Sequence, residues 1–75
     1  MDYILKEEDG RIIDVFECKA ELLAWTNEFI KEFNKDMENT GDIEHIIEGE
    51  AKTIGWCIDH LYGFGYRIHL ASKSD

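Results

Sequence analysis

Hydrophobic positions in this chain begin at strand spacing, pass to helical spacing and return to strand spacing. Tyr3-Ile4-Leu5 and Ile12-Ile13-Asp14-Val15-Phe16 are short runs of β-branched and aromatic residues, which suit a pleated, half-buried surface. They flank Lys6-Glu7-Glu8-Asp9-Gly10-Arg11, where Asp9-Gly10 signals a turn because glycine accepts positive φ at little cost. Residues 2–16 therefore read as a β-hairpin. From about Cys18 to Lys35 the period is helical. At about 100° per residue Leu22, Phe29 and Phe33 share a face that Thr26 and Ile30 extend. Glu17, Glu21, Glu28 and Glu32 form a ridge on the other side, with Lys19, Lys31 and Lys35 beside it. Asn39-Thr40-Gly41-Asp42 is a break. Asp42 reads as an N-cap, and Glu44 suits the dipole of the helix that follows. Ile43, Ile47, Ile54, Ile58 and Leu61 predict a second helix from Ile43 to Tyr62. Gly49 and Gly55 would each weaken it by about 1 kcal/mol relative to alanine. Gly63-Phe64-Gly65 ends it, and Tyr66-Arg67-Ile68-His69-Leu70 alternates as a third strand. Ser72 to Asp75 reads as a polar tail.

The order β-β-α-α-β predicts an α+β domain: an antiparallel three-stranded sheet with two helices packed on one face. The last strand should join the hairpin, because an isolated hairpin is marginal in water. Seventy-five residues make a single domain, 1–75. A core of this size supplies about 3–5 kcal/mol, so oligomerisation is a common aid. A composition 44% hydrophobic and 12% aromatic argues for a globular chain despite its charge. The first residues lack the basic and apolar regions of a secretory signal. No apolar run approaches the ~18 residues of a membrane span. A cytoplasmic location is expected.

Charge sharpens the picture. The net charge is -9, and six of the acids (Asp36, Glu38, Asp42, Glu44, Glu48, Glu50) lie between residues 36 and 50, where there is no Lys or Arg. Such a chain repels itself and surrounds itself with a negative field. It is poorly suited to nucleic acid or an anionic membrane, which attract Lys and Arg. The acids serve solubility, or they form the functional surface.

The remaining chemistry is thin. Cys57-x-x-His60 has helical i,i+3 spacing, and Cys18 and His69 would complete a set of four zinc ligands, but paired-cysteine knuckles are absent. The cysteines read as structural and no metal or cofactor is expected. A cysteine–histidine pair is compatible with nucleophilic catalysis, yet no motif sets such a pair up, and Gly63-Phe64-Gly65 lacks the spacing of a phosphate loop. The expectation is a protein that is not an enzyme. Trp56 projects away from the Ile43/Ile47/Ile54/Ile58 stripe on the side of Gly49, Thr53 and His60, bordered by Ile46. Either the first helix wraps round it or a second copy covers it, with Gly49 allowing close approach, which predicts a homodimer. Trp25 can serve the same face or anchor a partner.

Carboxylates at i,i+4 on a helix stand roughly 6 Å apart, close to the spacing of phosphates along a nucleic-acid strand. Glu17/Glu21, Glu28/Glu32 and Glu44/Glu48 have that spacing. In size, in the Asp36–Glu50 acid run and in the Glu17/Glu21/Glu28/Glu32 ridge, the chain resembles the small acidic inhibitors with which bacteriophages disable host DNA-handling proteins, often by imitating DNA. That group shares no motif, so no residue role carries over. The resemblance implies a basic nucleic-acid-binding target: a DNA sliding clamp, histone-like protein, polymerase, restriction enzyme or other nuclease, or CRISPR effector. The expected partner surface is Glu17, Glu21, Glu28, Glu32, Asp36, Glu38, Asp42, Glu44 and Glu48. The alternative is a small regulatory or antitoxin-like module that docks through its tryptophans.

Overall fold

A computed structural model describes residues 2–71; the C-terminal tail expected at residues 72–75 lies outside them. Strand β1 (Asp2–Glu7) is central, with β2 (Ile12–Phe16) and β3 (Tyr66–Ala71) antiparallel on its two sides, in the order β2-β1-β3. The hairpin turn falls where Asp9-Gly10 placed it: Gly10 has φ 95°, its N–H donates to the Glu7 carbonyl at 2.9 Å, and Asp9 Oδ1 accepts from the Arg11 N–H at 2.9 Å. Leu5 pairs with Asp14 and Lys6 with Ile12, so Ile13 sits in a bulge. The third strand joins β1, with Ile4 opposite His69 and Lys6 opposite Arg67.

Alternation along the strands gives the sheet two unlike faces. Tyr3, Leu5, Phe16, Tyr66 and Ile68 pack towards the helices. Helix α1 (Lys19–Thr40) runs five residues beyond Lys35 and stops at Gly41, whose left-handed φ of 82° lets its N–H turn back to the Glu38 carbonyl. Its inward residues Leu22, Thr26 and Ile30 are buried; the Thr26 hydroxyl donates to the Leu22 carbonyl at 2.8 Å. Leu5, Phe16, Leu22, Ala51, Cys57 and Leu61 form the core.

The second helix is much shorter than its apolar spacing implied. Residues Ile43–His45 make one 3-10 turn, and α2 covers only Ile54–Tyr62. Between them the chain runs back along α1. Asn34 and Asn27 hold it there by side-chain pairs that imitate strand pairing. Asn34 accepts from the Ile47 N–H at 2.9 Å and donates to the Ile47 carbonyl at 2.9 Å. Asn27 accepts from the Ala51 N–H at 2.6 Å and donates to the Ala51 carbonyl at 3.3 Å. Gly49, with φ 91°, turns the segment between the two clamps, a conformation no helix contains. Three members of the expected stripe lie outside the core: Ile47 is half-buried in the clamped segment, Ile43 is 70% exposed and Ile58 39%. Asp42 stands at the N-cap position of the 3-10 turn, but its side chain makes no capping bond there; its carboxylate accepts from the Thr40 hydroxyl at 3.2 Å. The true cap is Thr53, whose hydroxyl accepts from the Trp56 N–H at 3.1 Å.

Candidate functional site

Helix α1 carries the most ordered array of exposed acids. Glu21, Glu28, Glu32 and Asp36 are all exposed, and at about 100° per residue they lie on one side of the helix around Trp25. The core stripe Leu22/Thr26/Ile30 fixes that orientation, because burying it turns this side outward. Trp25 is only half-buried. Its ring stacks on Phe29 at 5.4 Å and 8°, and it meets Phe16 at 6.3 Å and Tyr66 edge-on at 6.1 Å. Phe29 meets Phe64, and Phe64 meets Phe33, at 4.9 and 4.8 Å. This aromatic row holds Trp25 from behind while its outer side stays open. Trp25, Glu28, Phe29 and Glu32 line a shallow cleft of about 260 Å³.

The acids of this stripe have no cationic partner among the described residues. Among the described residues the ion pairs are Arg11–Glu7 at 3.0 Å, Lys52–Glu50 at 3.9 Å and Arg67–Glu8 at 3.8 Å. Lys31 and Lys35 instead line a groove of about 540 Å³ between α1 and the clamped segment, with Asn27, Glu28, Asn34, Glu38 and Glu50. Glu28 stands on the border, lining both this groove and the cleft at Trp25.

Other members of the expected surface are dispersed. Glu17 precedes the helix, and its N–H donates to the Glu21 carboxylate at 3.3 Å, so this pair is an end cap rather than two charges at helical pitch. Glu44 lies in the 3-10 turn and Glu48 in the clamped segment; both are exposed but share no helix. Asp42 is exposed beside them, and Glu38 belongs to the groove. Of the three expected pairs only Glu28/Glu32 keeps i,i+4 spacing on one helix face.

The face expected for docking or dimerisation does not form one surface. Gly49 and Ile46 lie outside α2, and Thr53 is its cap. Trp56 packs against the core and stacks on His60 at 3.8 Å, while His60 Nδ1 meets the Trp56 carbonyl at 2.9 Å. Trp25 stands apart on α1. Cys57 is fully buried, and burial pushes its thiol up from the ordinary value, opposed in part by the Thr26 hydroxyl. Cys18 is exposed at the start of α1, and His69 is exposed on β3. Among the described residues no three His, Cys, Asp or Glu side chains come together as a metal site, and no helix is long and apolar enough to cross a membrane.

Asn27 and Asn34 had no place in the sequence reading. Their signal was present: two asparagines seven residues apart inside a helix, where asparagine is a poor former and needs a reason to be. Comparison with protein-family models, curated proteins and solved structures finds no match.

Proposed function

We propose that this chain is a non-enzymatic acidic inhibitor, of the phage type, that occupies the nucleic-acid site of a basic DNA-binding protein. The observation that carries the reading is the outer stripe of α1: Glu21, Glu28, Glu32 and Asp36 around the Trp25–Phe29 cleft, free of ion pairs among the described residues. A row of unneutralised carboxylates on a rigid helix of 22 residues, about 33 Å long, offers a basic channel what a phosphate strand offers it. The molecule itself is elongated, 50 Å by 26 Å by 15 Å in Cα extent. The net charge of -9 steers it to a basic partner and away from DNA and anionic membranes. Its place of action is the cytoplasm, where such targets work.

Trp25 adds what the acids lack. Exposed charges govern encounter rate and register more than lifetime, whereas a half-buried aromatic in a cleft is the type of group that anchors a complex. The antitoxin-like alternative assigns the whole docking to such an anchor. The two readings separate by salt and by competition. The chain is used to capture a target from host lysate, and the purified target is then titrated with labelled duplex DNA and this protein at rising salt. The expected result is competition with DNA, no binding of the chain to DNA alone, and affinity that falls steeply with salt. A complex that forms alongside bound DNA rejects the mimicry.

A further inference from the structure

Among the described residues nothing covers the sheet face turned away from the helices. Its register positions are rows across the three strands: Val15, Ile4 and His69 in one, Ile12, Lys6 and Arg67 in the next, and Asp2 with Ala71 at the end. Ile12 is 57% exposed and Val15 47%. Apolar side chains so placed on a small sheet need a reason, because a three-stranded sheet with one wet face normally alternates to polar residues there.

Charge names the occupant. Asp2 is the one acid at an open-face register position among the described strand residues, and Lys6 and Arg67 stand there with it. The Arg67 guanidinium is already engaged, 3.9 Å over the Tyr62 ring and 3.8 Å from the Glu8 carboxylate, so Lys6 carries the positive charge that this face offers. In a chain of net charge -9, this is the face two copies can bring together without opposing their acids. Along β1 the face reads Asp2, Ile4, Lys6: negative, apolar, positive, over about 14 Å. A two-fold axis lying in the interface across Ile4 sets Ile4 on Ile4 and each Asp2 over the other copy's Lys6. A face with opposite charges either side of an apolar centre is complementary to itself, the requirement of an isologous dimer.

We infer that the chain forms a homodimer by packing the open faces of two sheets, centred on Ile4, Ile12 and Val15. The sheets lie about 10 Å apart, as in a β-sandwich. Three strands give a small contact, so the dimer is of the weak class. The helices then stand on the two outer sides, and the acidic stripe of α1 stays free in both copies. The dimer does not depend on the proposed inhibition, and its test uses the chain alone.

Sedimentation of the native chain across about 10–500 μM should show mass rising from 8.8 kDa towards twice that value. Val15→Glu and Lys6→Glu should each weaken the dimer by about tenfold or more, since like charges then face each other. The exchange Asp2→Lys with Lys6→Asp restores the complementarity and should restore the dimer. A native chain that stays monomeric throughout overturns the inference and leaves the face to a different protein. A dimer indifferent to Val15→Glu and Lys6→Glu overturns it too. If Lys6→Glu fails to fold, the double exchange decides: a folded dimer supports the two-fold arrangement and a folded monomer rejects it.

Discussion

The outer stripe of α1 and the open face of the sheet both lack a partner among the described residues, yet their chemistry is opposite. The stripe gathers Glu21, Glu28, Glu32 and Asp36 around one aromatic cleft. The sheet face gathers Ile4, Ile12 and Val15, with Lys6 and a single acid. Salt screens attraction between the stripe and a basic target, and it also screens repulsion between two copies of net charge -9. The two proposed contacts are therefore expected to respond in opposite directions to one variable. That division follows from the layers of the fold, which put the long acidic helix on one side of a three-stranded sheet and, among the described residues, no element on the other.

The largest expected effect tests the stripe. Reversal of Glu28 and Glu32 together to Lys should weaken the target complex by about 10–100-fold at low salt, mainly through slower association. The fold should hold, because both side chains are exposed and make no ion pair among the described residues. Reversal of Glu44 and Glu48 should matter less, because these two share no helix face. Surface plasmon resonance on the captured target reads both. If the second reversal harms binding more than the first, the functional acids lie in residues 36–50 rather than on α1.

Next in size is the clamp. Asn34→Ala removes a donor and an acceptor from the half-buried Ile47 backbone, and leaving such groups unmet costs about 1–3 kcal/mol. Urea unfolding measures the loss. Asn27→Ala should cost a similar amount, since Ala51 is in the core. Either change frees Glu48 and Glu50 from α1 while leaving Glu28 and Glu32 in place, so unchanged target affinity in a folded Asn34→Ala protein would assign the function to the helix alone.

These asparagines also show where the sequence stopped being legible. The hairpin, α1 and the third strand were readable because period and turn chemistry are local, although the buried centre of α1 is Leu22/Thr26/Ile30 rather than Leu22/Phe29/Phe33, with Phe29 and Phe33 half-buried beside it. The second helix was not. Ile43, Ile47, Ile54 and Ile58 have nearly helical spacing, but clamps from residues 27 and 34 and the positive φ of Gly49 decide the backbone there. Contacts that far apart in sequence leave no trace in a local period. The error spread to the site: it put Trp56 and Gly49 on one face and Glu44/Glu48 on one helix. Glu28 and Glu32 keep their i,i+4 spacing, and Trp25 its place beside them, because their helix was local and real.

A third, smaller effect compares the two surfaces directly. Between about 50 and 200 mM salt the target complex should lose about tenfold in affinity, whereas the dimer should gain a few-fold as self-repulsion is screened. Sedimentation and titration in the same buffers give both slopes. Slopes of the same sign would mean that the two surfaces are not chemically distinct.

The smallest effect comes from the group beneath both surfaces. Cys57 is fully buried, and desolvation holds its thiol above the ordinary range. In the unfolded chain the thiol ionises at about 8.5, while the folded chain keeps its proton to higher pH. Above that value the unfolded state binds fewer protons than the folded one, so stability falls as pH rises. The thiol's contribution is complete below the unfolded value and is lost on the way up through the folded one. Cys57→Ala should therefore flatten the decline in urea midpoint between about pH 8 and 10 relative to the native chain. The same thiol reports on the comparison itself. Cys18 is exposed and should react with a thiol reagent at once, while Cys57 should wait for opening of the core. A charge reversal on α1 or on the open sheet face that leaves Cys57 protected has altered a surface, and its loss of binding belongs to that surface. A variant in which both thiols react together has lost the fold and tests neither.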